Sequence, residues 1–180
     1  RFGRGFCYCD ICRADYKRLT GQELLELSTV DFNPNPAQDL DVWINWRTDV
    51  ITGFARRIRT AANQAGKKLS AAVFHDYPNC LVNVGQDWPS WVAEGLLDYA
   101  FPMNYSRSTK VAAAWVRHNM SLVRASGGKC RLWAGILRPA GMTTERFCDH
   151  VDGILDTGIE GVVVFQYPFL TDADLKALSQ

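Results

Sequence analysis

Leu69-Ser70-Ala71-Ala72-Val73-Phe74 runs straight into His75-Asp76-Tyr77-Pro78, and the pattern returns three times further along the chain. Tyr99–Met103 ends in Asn104-Tyr105-Ser106, Leu132–Leu137 in Arg138-Pro139, and Val162–Phe165 in Gln166-Tyr167-Pro168. The runs recur every thirty residues or so, with roughly helical spacing between them. Strands alternating with helices at that period predict an α/β fold built from parallel (β/α) units. Such folds hold ligands outside the carboxyl ends of their strands, so the four polar tips are also the predicted site.

The helical segments follow from apolar spacing and end signals. Arg13–Leu27 reads as helical with an interruption at Gly21, and Asn33-Pro34-Asn35-Pro36 is a turn. A long helix opens near Asp39 and Asp41, whose charge suits a helix start. Trp43, Trp46, Val50, Phe54, Ile58, Ala61 and Ala65 form its apolar face, and Gly66 is its stop. Arg47, Arg56, Arg57 and Arg59 fall mainly off that stripe and read as a solvated face. Further helices are expected at Pro89–Leu97, Thr109–Ala125 and Thr144–Asp156, with a last one from Thr171-Asp172. An eight-stranded barrel takes about 250 residues. Four strands in 180 residues therefore make half of one, or a small open sheet. The chain opens without Met and enters a cysteine cluster almost at once, which favours the half-barrel, cut just after its fourth strand. The expectation is one partial (β/α)8-barrel domain over 1–180. Residues 1–38 form its cysteine-containing loop and helix, and 39–180 its four βα units with their preceding helix.

Composition narrows the function. A 47% hydrophobic and 22% charged chain is an ordinary globular one, and a net charge of +1 offers no footprint for nucleic acid. No apolar run reaches the length that crosses a bilayer. G-x-S-x-G, H-E-x-x-H, P-loop and G-x-G-x-x-G sequences are absent, which removes most rival enzyme classes.

Cys7-Tyr8-Cys9-Asp10-Ile11-Cys12 is the most specific local motif. Thiolates at this spacing in a tight loop can converge on one metal, zinc being the usual guest. A closed structural zinc site takes four ligands and the cluster offers three. Cys80 is one candidate for the fourth, His75 a weaker one, and sequence outside the chain a third. Disulfides among these cysteines or with Cys80 are the alternative. Cys130 and Cys148 read as small buried hydrophobes.

Glycoside hydrolysis by the usual route needs two facing carboxyl groups. Asp76 is the one carboxylate directly on a strand tip, and Asp87 in Gly85-Gln86-Asp87-Trp88-Pro89 lies in the following loop, where it also suits a helix cap. These two are the catalytic candidates. Asn104, Arg138 and Gln166 can bond to hydroxyls, while Tyr105, Tyr167 and Trp88 offer ring faces to sugars; with His75 they form the expected substrate-binding set. Asp98, at the far end of its strand, reads as structural.

These residues also resemble a family. Cys7–Arg13, the helix with Trp43 and Arg47, Ser70–Phe74, Gly85–Trp88 and Leu97–Tyr105 are similar to the (β/α)8 glycosyl hydrolase-like proteins called family-10-like glycosylhydrolases, over essentially the whole chain. The resemblance implies that the strands here are barrel strands five to eight. It also implies that strand four, with its catalytic acid, lies upstream of Arg1. The cysteine spacing is similar to the zinc loop of glycoside hydrolase family 42 β-galactosidases, which implies Cys7, Cys9 and Cys12 as ligands of a structural zinc. Those enzymes carry a catalytic Glu at the end of strand seven, and Leu132–Leu137 has none.

The expected function is thus part of a glycoside hydrolase-like barrel acting on a carbohydrate and completed by an N-terminal half. Alone, the segment should be inactive and expose open sheet edges and apolar faces. Two alternatives stand beside it: a non-catalytic carbohydrate-binding barrel, and a small open α/β domain with a metal or redox cysteine cluster.

Overall fold

The computed structural model describes residues 7–25 and 39–179. The expected Asn33–Pro36 turn and the end of the first helix at Leu27 lie outside them. The chain divides into two compact units. One runs up to Arg57 and includes Tyr77–Asp87; the other comprises Ile58–Asp76 and the chain from Trp88 onward.

The first unit holds helix α1 (Asp10–Thr20), most of α2 (Leu40–Gln64) and α3 (Asn79–Val84). Gly21 ends α1 instead of interrupting it: at φ +73° it takes the left-handed conformation that L residues avoid, and its N–H donates to the Lys17 carbonyl. Tyr16, Leu24, Trp43 and Trp46 form a buried cluster. Trp46 meets Tyr16 edge-on at 5.2 Å and donates its indole N–H to Asp15. Arg13 ties the cysteine loop to this cluster by donating to the carbonyls of Tyr8 (2.8 Å) and Leu24 (2.7 Å).

Two sequence expectations change on α2. Arg47 is not on a solvated face: it is buried, stacks over the Trp43 ring at 4.3 Å and donates to the carbonyls of Val82 and Asn83. The planar guanidinium can satisfy two carbonyls while packing on an indole, which charge counting does not anticipate. Conversely, Val50 and Phe54, expected on the buried stripe with Trp43 and Trp46, are about half exposed, at 45% and 51%.

The second unit is the (β/α) array. Its strands are β1 (Ser70–Val73), β2 (Tyr99–Pro102), β3 (Arg131–Leu132), β4 (Ala134–Leu137) and β5 (Val162–Phe165), with α4 (Trp88–Ala93), α5 (Thr109–Ala125), α6 (Thr144–Leu155) and α7 (Asp172–Leu178) between or after them. All pairings are parallel. β1 pairs with β2 and β2 with β3; β4 pairs with β5; Met103 bridges Gly135 between the two sets. The expected run Leu132–Leu137 is therefore one strand position broken at Trp133. The order is sequential, and each neighbouring pair is joined through helical crossovers, as βα units require. Side-chain caps start the helices: Ser108 on α5, Thr143 on α6, and Thr171 with Asp174 in a full capping box on α7.

Burial alternates along β2 and, less regularly, along β1. Val73, Ala100, Leu132, Ala134 and Ile136 are buried, as are Val116 of α5 and Phe147, Val151 and Ile154 of α6. Pro102 and Gly135 are buried as well, but the other residues around them on β1, β2 and β3 are more open. Ser70, Ala72 and Phe74 are exposed, and Tyr99, Phe101, Met103 and Trp133 only partly covered, with Tyr99, Phe101 and Trp133 in mutual ring contact. Parallel sheets ordinarily have both faces buried. This one has an open face.

Close approach fixes the middle of the sheet. A Cβ on Gly135 would sit 2.8 Å from the Pro102 carbonyl oxygen, and the Gly135 carbonyl accepts from Asn104 N–H at 2.8 Å. Gly135→Ala must push β4 off β2, and denaturant unfolding should show a loss of about 1–3 kcal/mol. A loss within the range of an ordinary surface change would contradict this placement.

His150 is the buried histidine of α6, at 2% exposure. Its Nδ1 lies 3.0 Å from Thr109 Oγ1, its Nε2 is enclosed without a hydrogen-bond partner among the described residues, and burial lowers its pKa. A base whose folded pKa is depressed binds protons more readily when unfolded. Stability should therefore be full at neutral pH and decline as pH falls below the unfolded value of about 6.5. Urea unfolding at several pH values should show this slope, and His150→Leu should reduce it; an unchanged slope would count against the buried neutral state.

Candidate functional site

Because β1, β2, β4 and β5 run parallel in register, their carboxyl ends form one rim. His75 and Asp76 follow β1, Asn104 and Tyr105 follow β2, Arg138 follows β4, and Gln166 and Tyr167 follow β5. The tips are linked: Met103 N–H donates to Val73, Asn104 N–H to Gly135, and Arg138 N–H to Phe165.

At the β1 tip the His75 ring lies against Trp115 of α5, centroids 3.9 Å apart and planes 33° apart. Burial lowers its pKa, partly opposed by the Asp76 charge and a bond to the Met103 main chain. Asp76 is half-buried, and its Oδ1 is enclosed with no hydrogen-bond partner among the described residues. A buried carboxylate oxygen without a donor is costly, so it marks a place where a ligand donor would be welcome. At the β2 tip the Tyr105 ring stacks on Phe165 at 5.4 Å and 19°, and burial raises its hydroxyl pKa. Gln166 is half-buried at the start of a short 3-10 turn, Tyr167–Phe169, and Tyr167 is 77% exposed. Asp76, His75, Tyr105, Gln166 and Tyr167 are thus the rim groups with open surface.

Three expected sugar contacts are placed otherwise. Asn104 is buried; its amide donates to the Pro102 carbonyl and its oxygen accepts from Asn119 at 3.0 Å. Arg138 is buried against Asp174, with bonds of 3.0 and 3.2 Å, and also donates to the Pro139 carbonyl. Trp88 is fully buried and donates its indole N–H to the Phe74 carbonyl. All three hold the rim from behind. Asp87 belongs to the first unit, where it bonds to Tyr77 and, after burial itself, helps raise the Tyr77 hydroxyl pKa.

The opposite, amino-terminal ends of the strands carry clefts of about 330 and 520 Å³. There Asp98 accepts from the Leu69 N–H and pairs with Arg59 and Lys68. The Leu69 bond foremost, then the two cations, overcome burial and hold its pKa at about 2. Arg59 is therefore ion-paired and not simply solvated, and Asp98 has the structural role expected of it. These clefts are lined by such pairs and by none of the strand tips.

In the first unit Cys9 caps α1, Cys7 precedes it and Cys12 lies in its first turn. The three sulfur atoms all lie within 4.8 Å of one another. Ligand sulfurs on a tetrahedral zinc stand about 3.8 Å apart, given bonds near 2.3 Å. Small side-chain rotations would reach that spacing, so the donors fit a thiophilic metal. The Cys12 N–H first, then the Cys7 side chain, bring the Cys9 thiol down to about 7; burial first, then its two thiol neighbours, push Cys12 up to about 12. The Cys9 thiolate forms readily while Cys12 resists, as expected of neighbouring thiols lacking a counter-charge. Cys80 stands outside the cluster: it is buried, and its thiol donates to the Gln86 carbonyl. None of the six cysteines is in a disulfide; Cys130 is buried as expected, and Cys148 is partly exposed.

Sequence spacing missed the inner partners Asn119, Asp174 and Thr109. Asp174 had a signal, its position three residues after Thr171 in a capping box.

No protein-family model matches the chain, and no curated protein matches it in sequence. A solved structure does resemble it: the catalytic domain of β-amylase from Paenibacillus polymyxa, with TM-score 0.54 and 14% identity. The likeness covers 92% of this chain and 49% of that one, so the chain spans about half the length of the structure it matches. At that identity the likeness is one of fold: this is an α/β chain of parallel strands, similar to part of a (β/α)8-barrel glycosidase domain.

Proposed function

We propose that this chain is the C-terminal half of a (β/α)8 barrel of glycoside-hydrolase type, and that its polar rim faces a carbohydrate. The observation that carries the reading is the open face of a four-position parallel sheet, joined to a likeness that covers about half of a β-amylase catalytic domain. A closed barrel needs eight strands, and its ligand lies over the carboxyl ends. Asp76, enclosed and short of a donor, is the carboxylate that would transfer a proton or stabilise charge at the glycosidic bond, with Asp87 as the weaker candidate. His75, Tyr105, Gln166 and Tyr167 would form the sugar contacts, supported by Asn104, Arg138 and Trp88. In the cysteine loop, Cys7, Cys9 and Cys12 would hold a structural zinc with a fourth ligand from elsewhere, bracing the loop that opens α1.

A complete barrel made by joining this chain to its N-terminal half, assayed on a glycan panel, tests the reading. Asp76→Asn should lower turnover by about 100-fold to 10,000-fold while sugar binding persists. Unchanged turnover would remove Asp76 from the mechanism. Binding without turnover in the parent would favour a second reading, a carbohydrate-binding barrel, which the ion-paired Arg138 at the β4 tip already supports by standing where related glycosidases carry Glu.

A further inference from the structure

Cys9 and Cys12 share the first turn of α1, and the backbone brings their sulfurs together. Cys9 is the N-cap residue, extended at φ −69° and ψ 163°, and its carbonyl closes the turn by accepting the Arg13 N–H at 2.9 Å. A side chain at that position folds back over the third helical residue, here Cys12. Accordingly, the Cys12 N–H is the foremost donor to the Cys9 sulfur. Residues three apart on a helix keep their Cα atoms about 5 Å apart, inside the range of about 4.4–6.8 Å that a disulfide spans. All three cluster sulfurs lie within 4.8 Å of one another, with no disulfide among them. The turn is open to solvent: Cys7 and Cys9 are exposed, and Ile11 between the pair is 80% exposed. It is also held in place, since Arg13 ties the loop to the Tyr8 and Leu24 carbonyls. Side-chain rotation alone would close the bond.

We propose that the cysteine loop is an oxidant-sensitive metal site, in which hydrogen peroxide joins Cys9 to Cys12 and thereby discharges the metal. The release rests on the zinc reading above; the bond does not. In the metal-free loop the Cys9 sulfur attacks peroxide. An S–O bond forms, the O–O bond breaks, and the departing hydroxide takes the Cys9 proton as water. The Cys12 sulfur then attacks the sulfenic acid. The S–S bond forms, the S–O bond breaks, and the second hydroxide takes the Cys12 proton. Two thiols and one peroxide become one disulfide and two waters, the sulfurs oxidised and the peroxide reduced. From metal-bound thiolates the two protons come from solvent, and the metal ion is set free. An added dithiol reverses the step by exchange and leaves as its own disulfide. The oxidised loop keeps Cys7 alone as a thiolate donor, where a closed site takes four ligands.

Peptide mass mapping and thiol titration of the full chain, metal-free and zinc-loaded, before and after a small excess of hydrogen peroxide, test this. The parent should lose two thiols to one bond, Cys9 to Cys12, and Cys7→Ser should form the same bond. In the zinc-loaded parent, about one equivalent of metal should reach a chromogenic chelator as the bond forms. A bond that uses Cys7 or Cys80 in the parent, or that joins two chains, overturns the inference. Zinc retained by a chain whose thiols survive peroxide also overturns it, and leaves the zinc reading standing. A chain that forms the bond but takes up no zinc when reduced overturns that reading, and the release with it.

Discussion

Arg138→Met should lower the free energy of unfolding by about 3–5 kcal/mol, the usual cost of removing one partner from a buried ion pair. Arg138 is 4% exposed and Asp174 fully buried, and two parallel N–H···O bonds of 3.0 and 3.2 Å join them. The guanidinium is also 5.2 Å from the Phe147 ring and bonded to the Pro139 carbonyl. Asp174 accepts from the Thr171 N–H at 2.9 Å, so one carboxylate holds both the β4 tip and the start of α7. Burial alone would raise its pKa, but Arg138, the Thr171 main chain and the Thr144 and Thr171 hydroxyls together hold it well below the usual carboxylate range. Asp174→Ala should cost at least as much, since it also removes a helix cap worth about 1 kcal/mol. The double replacement Arg138→Met/Asp174→Leu should cost clearly less than the sum of the singles, because neither charge is then left alone. Urea unfolding measures all three. Single losses under about 1 kcal/mol, the range of exposed pairs, would mean that water reaches this pair. The depressed pKa of Asp174, with that of Asp98 at about 2, also fixes a sign. Both groups stabilise the fold above the unfolded carboxylate value of about 3.9, and that contribution is lost as pH falls below it, for Asp98 through about 2.

Zinc should bind the chain at one equivalent and stabilise it by about 4 kcal/mol when the free metal exceeds Kd a thousandfold. The three sulfurs within 4.8 Å supply the donors, and the Arg13 bonds to Tyr8 and Leu24 hold their loop against the aromatic cluster before metal arrives. Cys7→Ser, Cys9→Ser and Cys12→Ser should each weaken binding by at least about 100-fold, the upper end of what losing an outer-shell partner costs. Cys80→Ser should leave it unchanged, since that thiol is engaged elsewhere. Affinity should drop as pH falls, because protons compete for the thiols. Cobalt substitution gives the readout: thiolate-to-metal absorption in the parent, lost in the three variants. Equal binding by parent and triple variant would remove the cluster from the metal site.

The strands were readable because each apolar run is bounded by breakers, and Val162–Phe165 falls where the run predicts. The helices Thr109–Ala125 and Thr144–Leu155 follow from caps and periodicity in the same way. Tertiary choices were not. A stripe such as Trp43, Trp46, Val50, Phe54 says which residues share a face, not whether a neighbour covers all of it. Polar tips likewise announce a rim, but Asn104 and Asp76 look alike in sequence, while one is satisfied by Asn119 and the other keeps an unbonded oxygen. Arg47 and Arg138 went inward because each found acceptors thirty-five or more residues away, at Val82, Asn83 and Asp174. No local pattern carries that information.

Amide hydrogen exchange of the whole chain, read peptide by peptide across a dilution series, tests the unfinished-sheet account most directly. β2, bonded on both sides, should stay protected at every concentration. The β1 and β5 segments, Ser70–Val73 and Val162–Phe165, should exchange far faster once any partner has dissociated. Protection of both edges equal to that of β2 in a dilute, monomeric sample would mean a sheet already closed on itself, and would contradict the account.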